Sequence, residues 1–433
     1  MRMIELKPTE PFRSDFIKRT GAFNASAMQS ALDIVEDVRK RGDEALFDLT
    51  SRFDGVELKD LRVTKEEMDA AVNRIDADLY AALKKATRQI KDFHERQIQQ
   101  SWFFAREDGA IVGAKVEPLD SVGTYAPGGR ALYPSSVLMN TIPASVAGVK
   151  RIVCVTPPQK DGTIDDAILV ACKLGGATEI YKVGGAQAIA ALAYGTETIR
   201  PVDKITGPGN AYVAAAKKIV SGDVGIDMIA GPSEVCVVAD GTADPSLVAI
   251  DLMAQAEHDP LAACYLVCFS ADYAKTVEAQ IAEHLKHSTR AEITKESLDT
   301  NGLIVVVNDM DQAIDTVNVI APEHLELHVA DAFDLLGQIR NAGAIFLGEW
   351  TPEAVGDYIA GPNHTLPTGG TARYASPLSV DEFVKKSSII QYSQKALLND
   401  GKTVMQIAAH EGLWAHAQSV ALRLKDNLYK MDA

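Results

Sequence analysis

A strand, a glycine- or proline-bearing loop and a helix recur three times between about residues 130 and 240, and this alternation restricts the fold more than any other feature of the chain. Residues 151 to 155 read as β, 166 to 174 as helix, 179 to 183 as β and 186 to 194 as helix. A third round runs from Lys204–Thr206 through Gly207-Pro208-Gly209-Asn210 into a helix beginning near Ala211. Serial βα units demand a parallel sheet with right-handed crossovers, whose loops at the carboxyl ends of the strands form the ligand edge. Gly184-Gly185 and Gly207-Pro208-Gly209 are expected on that edge. The dinucleotide fingerprint G-x-G-x-x-G is missing, so a bound dinucleotide would need other pyrophosphate contacts.

A second βα series, with β-like runs at 235–239, 263–269, 303–307, 325–329 and 343–347, is expected to form a separate sheet. Two helices open the chain, each with a capping box, Ser26 with Gln29 and Thr64 with Glu67, and the second runs to about Gln100. Residues 110–125 alternate as extended chain and end in the Ala-Pro-Gly-Gly turn at 126–129. Residues 351–370, dense in Gly and Pro, read as a long loop, and the chain from about Asp381 as a small helical tail. The fold class is thus α/β: two βα-type domains with mainly parallel, incomplete Rossmann-like sheets, N-terminal helices and a helical C-terminal tail. The expected division is an arm at 1–24, a main domain of 25–125 plus 235–375, an inserted Rossmann-like domain at 126–234 and a tail at 376–433.

Composition narrows the function. With 43 basic against 59 acidic residues the net charge is -16, and no basic run relieves it, so nucleic acid is excluded as a partner. The cysteines, Cys154, Cys172, Cys236, Cys264 and Cys268, form no Cys-x-x-Cys pair, which argues against disulfides and thiolate zinc and for a reducing cytoplasm. Met1-Arg2-Met3-Ile4-Glu5 lacks a signal-peptide core and no long apolar run follows, so neither export nor a membrane is expected.

Four segments carry candidate chemistry. In Ala321-Pro-Glu-His-Leu-Glu-Leu-His328 a carboxylic acid, Glu323, adjoins an imidazole, His324, just after a helix-ending proline, so two proton carriers of different basicity are adjacent. His324, Glu326 and His328 alternate with apolar residues, which makes a strand and separates them from the helical His-Glu-x-x-His zinc motif. Gln255 and His258 stand three apart at a helix end and can share one metal, although such a pair is more often a cap. The 356–370 loop holds Asp357 and His364 among backbone-restricting residues; in the tail, Glu411 and His416 are about 140° apart on an ideal helix and need a break at Gly412 to share a target. His94, His284 and His287 are read as lying on charged helix faces with no role.

Together with 123–129, Val183-Gly-Gly-Ala-Gln-Ala-Ile189, Gly207-Pro-Gly-Asn210, Ala230-Gly-Pro-Ser-Glu234 and Ala254-Gln-Ala-Glu-His258, these segments make the chain resemble the histidinol dehydrogenase family over most of its length. The resemblance implies a cytoplasmic enzyme of histidine biosynthesis that oxidises L-histidinol through the aldehyde to L-histidine with two NAD⁺ and one zinc ion per subunit. It implies Gln255, His258, Asp357 and His416 as zinc ligands and Ser233, His364 and Glu411 as substrate contacts beside the ligands and His324. It implies Tyr125, Gln187 and Asn210 along the NAD⁺ site. It also implies an intertwined homodimer in which the tail, with Glu411 and His416, completes the partner's site. On this basis His324 is expected to take the hydroxyl proton and Glu323 to activate water. A zinc-dependent hydrolase on the same ligands, or a non-catalytic metal- or nucleotide-binding protein, is the alternative, and NADH formation from histidinol separates them.

Overall fold

The computed structural model describes residues 1–19, 21, 23–128 and 132–424, so Gly129, the last residue of the 126–129 turn, lies outside the described residues. The chain divides into two compact units, one of residues 1–98 and 119–383 and one of residues 99–118 and 384–433.

The first unit holds two parallel sheets. One has five strands in the order Glu179–Lys182, Arg151–Thr156, Ser121–Tyr125, Lys204–Thr206, Gly225–Ile226. The other has six in the order Arg2–Glu5, Leu303–Val306, Ala263–Cys268, Glu234–Ala239, His324–His328, Ala344–Leu347. Setting aside the edge strand Arg2–Glu5, both follow one plan. The chain starts in the middle, adds two strands outward on one side and then two on the other, which leaves a switch point between the first strand and the fourth.

Apolar cores line both sheets. Val35, Val38 and Leu46 of the N-terminal helices pack with Ile189 of the helix Gly185–Tyr194 and with Val153 and Ile205 of the five-stranded sheet. Leu83 and Ile90 of a later helix pack with Leu138, Ile168 and Ile180. In the six-stranded sheet Cys236, Tyr265, Leu325 and Leu327 fill one face, and Val235, Val237, Leu252 and Leu266 fill the other. The second unit contains the antiparallel sheet Val384–Gln391, Ile111–Pro118, Trp102–Ala105, followed by the helices Gln394–His410 and Trp414–Arg423.

Several local expectations change. The chain opens with a strand, Arg2–Glu5, rather than a helix. The first helix, Ala25–Arg41, is capped by Asn24, whose Oδ1 accepts the Ala27 N–H at 2.8 Å, while Ser26 lies inside the helix. The Thr64–Glu67 box is present, but its helix stops at Arg74; Asp76 caps a new one, Ala77–His94, by accepting from Asp78 and Leu79. The extended run at 110–125 is two strands in different sheets. The tail begins with the strand Val384–Gln391, and the 351–370 loop contains the helix Glu353–Tyr358. The Asn24 and Asp76 caps are local signals present in the sequence, whereas long-range pairing decided the strands Arg2–Glu5, Ser121–Tyr125 and Val384–Gln391.

Candidate active site

Burial makes the strand His324–His328 unusual. All five of its residues are buried, and alternation sends Leu325 and Leu327 to one face and His324, Glu326 and His328 to the other. The preceding helix ends at Ile320, and Ala321 takes the left-handed conformation with φ 50°, a strained position for a residue with a Cβ, so that Pro322 can redirect the chain.

The backbone of one residue positions both proton carriers. Glu234, the first residue of the neighbouring strand, donates its N–H to Glu323 Oε2 at 2.8 Å, and its carbonyl lies 3.2 Å from His324 Nδ1. A carbonyl can only accept, so Nδ1 carries the proton and Nε2 keeps its lone pair. Nε2 is buried, makes no hydrogen bond among the described residues and lies 3.9 Å from Asp357 Oδ1. Arg19 braces the Glu234 carboxylate with Nε at 2.8 Å and Nη2 at 3.2 Å and also donates to the Ile320 carbonyl.

Burial pulls His324 down to about 4 against the opposing pull of Asp357, so it is a neutral imidazole at neutral pH. Burial also pushes Glu323 well above the usual carboxylate range, with Glu234 and Asp357 adding to the rise and the Glu234 N–H opposing it. His364 is likewise held below the ordinary imidazole value by burial; its Nδ1 meets the Asp357 carbonyl at 3.0 Å and its Nε2 meets Ser136 Oγ at 3.2 Å.

Ligand atoms of His258, Glu353 and Asp357 converge within 4.8 Å of one another, a set able to hold a metal ion. Gln255 joins them. With its amide nitrogen turned to the Glu353 carboxyl, that nitrogen donates to Oε1 at 2.9 Å and Oε2 at 3.3 Å and lies 3.2 Å from His324 Nδ1. This leaves the carbonyl oxygen, the atom a cation would bind, as the other end of the amide. Beside His258 a cavity of about 470 Å³ is lined by Leu79, Leu83, Leu138, Arg290 and Tyr358, within the size range of small-molecule sites.

Glu323, His324, Gln255, His258, Asp357 and His364 therefore come together. Ser233 is half-buried, precedes Glu234 in the chain and accepts the Ala263 N–H through its carbonyl. Glu411 and His416 belong to the second unit, where both are exposed, and the helix breaks between them at Gly412 with φ 73°. Tyr125 and Gln187 are buried in the five-stranded sheet and its helices, and the Tyr125 hydroxyl accepts the Gly185 N–H at 3.1 Å. Asn210 is exposed and caps the helix Ala211–Val220 through Tyr212 and Val213.

Sequence reasoning missed Glu353, because the loop assigned to 351–370 concealed a helix that places Glu353 one turn before Asp357. It also misplaced His94, which is fully buried; its Nδ1 meets the Ile90 carbonyl and its Nε2 lies 3.4 Å from Asn363 Nδ2. That histidine therefore supports the loop that presents His364.

Two half-Rossmann sheets, a buried acid–base pair and converging cation ligands define an α/β enzyme. The chain belongs to the histidinol dehydrogenase family, whose profile matches residues 17–424, and it is an oxidoreductase of that kind. It is 55% identical over 397 residues to the histidinol dehydrogenase of Geobacillus kaustophilus, covering 92% of this chain and 94% of that one. With the Bacillus subtilis histidinol dehydrogenase it shares 55% identity over 390 residues, 90% of this chain and 91% of the relative. The crystal structure of histidinol dehydrogenase from Elizabethkingia anophelis superposes with a TM-score of 0.93 at 37% identity, covering 98% of each chain.

Proposed function

We propose that the protein is an L-histidinol dehydrogenase that oxidises L-histidinol to L-histidine through L-histidinaldehyde with zinc and two NAD⁺. The observation that carries this reading is the Glu234 backbone, whose N–H and carbonyl hold a proton-avid carboxylate and a neutral imidazole with a free Nε2 side by side, against donors fit for a cation.

His324 Nε2 takes the alcohol proton as hydride leaves the carbinol carbon, because Nδ1 is committed to the Glu234 carbonyl. Glu323, once ionised, is a stronger base than an exposed carboxylate and withdraws a proton from the water that adds to the aldehyde. His364, locked between Asp357 and Ser136, orients the substrate. The nitrogen and oxygen donors of Gln255, His258 and Asp357 suit zinc, with His416 of a partner subunit as the fourth ligand. Bound there, zinc would supply orientation and charge for the substrate's nitrogens. NAD⁺ would accept the hydrides at the glycine turns of the five-stranded sheet, near Tyr125, Gln187 and Asn210.

A homodimer follows from the same reading. The second unit exposes Trp102, Phe103, Phe104, Ile390 and Leu398, more apolar surface than a small unit leaves bare without a partner. Glu411 and His416, displayed at the helix break, would complete the partner's site. A cytoplasmic setting fits the cysteines, all free and all buried, and no described helix is long and apolar enough to cross a membrane.

Absorbance of reduced nicotinamide after mixing protein, zinc, NAD⁺ and histidinol tests this directly. Two equivalents of NADH per histidinol are expected, and a protein that forms none is not this enzyme.

A further inference from the structure

Three residues of the site, His324, Gln255 and Asp357, each have an acidic residue one structural repeat away on the same element. Glu326 follows His324 by two on the strand, Asp251 precedes Gln255 by four on the helix Pro245–Ala256, and Glu353 precedes Asp357 by four on the helix Glu353–Tyr358. Asp251, Glu326 and Glu353 are all buried. This rear rank closes on His328, whose Nε2 lies 3.2 Å from Asp251 Oδ2 and 3.3 Å from Glu326 Oε2. Those separations are hydrogen-bond lengths, and the same three side chains converge closely enough to hold a cation, so the count of bound metal ions decides between a bridge and a second site. Burial opposes a charge on His328, but Asp251 and Glu326 outweigh it and raise the ring to about 9; both carboxyl groups meet the one Nε2, while Nδ1 is buried without a hydrogen bond among the described residues.

Glu326 has a second task. Its Oε1 accepts the Glu353 N–H at 2.7 Å, while Pro352, at the cap position of that helix, makes no side-chain cap. A helix of six residues cannot sustain itself. Its first turn is instead fixed by a carboxyl group reaching from the middle of the sheet, which also complements the positive end of the helix. The opposite end of the same helix carries Asp357.

The geometry points to Asp251, His328 and Glu326 as a positioning triad that sets Asp357 and Gln255 at the distance a divalent cation requires, so that metal affinity depends on Glu326. This rests on reading His258 and Asp357 as metal ligands. Glu326 touches neither cation nor substrate and acts through the helix it anchors.

Chelator competition for Zn²⁺ on the full-length protein separates the two claims. Asp357→Asn should lose most zinc affinity. Glu326→Ala should lose about 10- to 100-fold, the usual effect of removing a residue that supports a ligand, and Glu326→Gln, which keeps an oxygen for the Glu353 N–H, should recover much of it. The visible spectrum of the Co²⁺-loaded protein should change in Glu326→Ala, a readout that a general loss of stability would not move. If Glu326→Ala fails to fold, His328→Gln, which breaks the bridge but spares the cap, should weaken zinc by a smaller factor. Wild-type zinc affinity and an unchanged Co²⁺ spectrum in Glu326→Ala or, where that chain does not fold, in His328→Gln, beside a defective Asp357→Asn, would overturn the triad and leave the metal site standing. An Asp357→Asn protein that binds zinc normally would instead refute the metal site, and the triad with it. Two zinc ions bound per chain would also overturn the proposal, by making the triad a second metal site.

Discussion

The five-stranded and six-stranded sheets share a strand plan but use it in opposite ways. In the five-stranded sheet the glycine turns follow the carboxyl ends of the strands, and a buried ion pair between Lys217 and Asp227 holds the Gly207 turn: Lys217 Nζ donates to the Gly207 carbonyl, and Asp227 Oδ2 accepts its N–H at 2.9 Å. In the six-stranded sheet that edge is closed. Asp240 accepts from Thr242 and Ala330 at 2.9 Å each and ties the ends of the two middle strands together. The acid–base pair sits instead at the amino edge, where Glu234 and His324 begin adjacent strands and the helices bearing Gln255 and Asp357 end. Topology therefore offers a crevice at either edge, and the polar side chains buried there decide which one works.

This contrast breaks first at the amino edge. His324→Asn should lower kcat for histidinol about 10²- to 10⁴-fold, the usual worth of a general base. Glu323→Gln should retain histidinol-to-aldehyde oxidation far better than aldehyde-to-acid oxidation, measured with the two substrates separately. Equal loss of both halves in Glu323→Gln would remove the assignment of water activation.

The other sheet should respond through stability. Lys217→Met strands the Asp227 carboxylate, whose side chain is 0% exposed, and is expected to cost about 3–5 kcal/mol in denaturant unfolding. KM for NAD⁺ should rise while metal affinity stays put. A Lys217→Met protein of normal stability and normal KM would show that the Gly207 turn needs no brace.

A pH scan sharpens the comparison. His328 titrates near 9 in the folded chain against an ordinary 6.5, so its contribution to stability is complete below about 6.5 and lost as pH rises through about 9. Wild type should lose stability across that window, and His328→Gln should flatten the loss. The smallest effect tests the cap of the first helix: Asn24→Ala should cost about 1 kcal/mol and Ser26→Ala almost nothing.

Legibility followed the range of the interaction. Eight strands of the two sheets were readable to within a residue or two, because apolar runs between glycine turns encode them locally; Arg2–Glu5 and Gly225–Ile226 were not read, and Ser121–Tyr125 was merged into the run at 110–125. So was the alternation of His324, Glu326 and His328. The helix Glu353–Tyr358 was hidden because its cap comes from Glu326, 27 residues away. His94 was misread because a histidine amid charged residues reveals its burial only when Asn363 packs against it.

Alone, the amino-acid order determined the βα runs of the two parallel sheets and the adjacency of Glu323 and His324, since each depends on neighbours within a turn or a strand; Gln255, His258 and Asp357 became a ligand set only through the family resemblance. Only the tertiary structure decided that the site lies at the amino edge, that the backbone N–H and carbonyl of Glu234 aim both proton carriers, and that a buried rank of carboxyl groups stands behind them. Such groups are held by hydrogen bonds between segments distant in sequence, and those bonds exist only once the sheet has assembled.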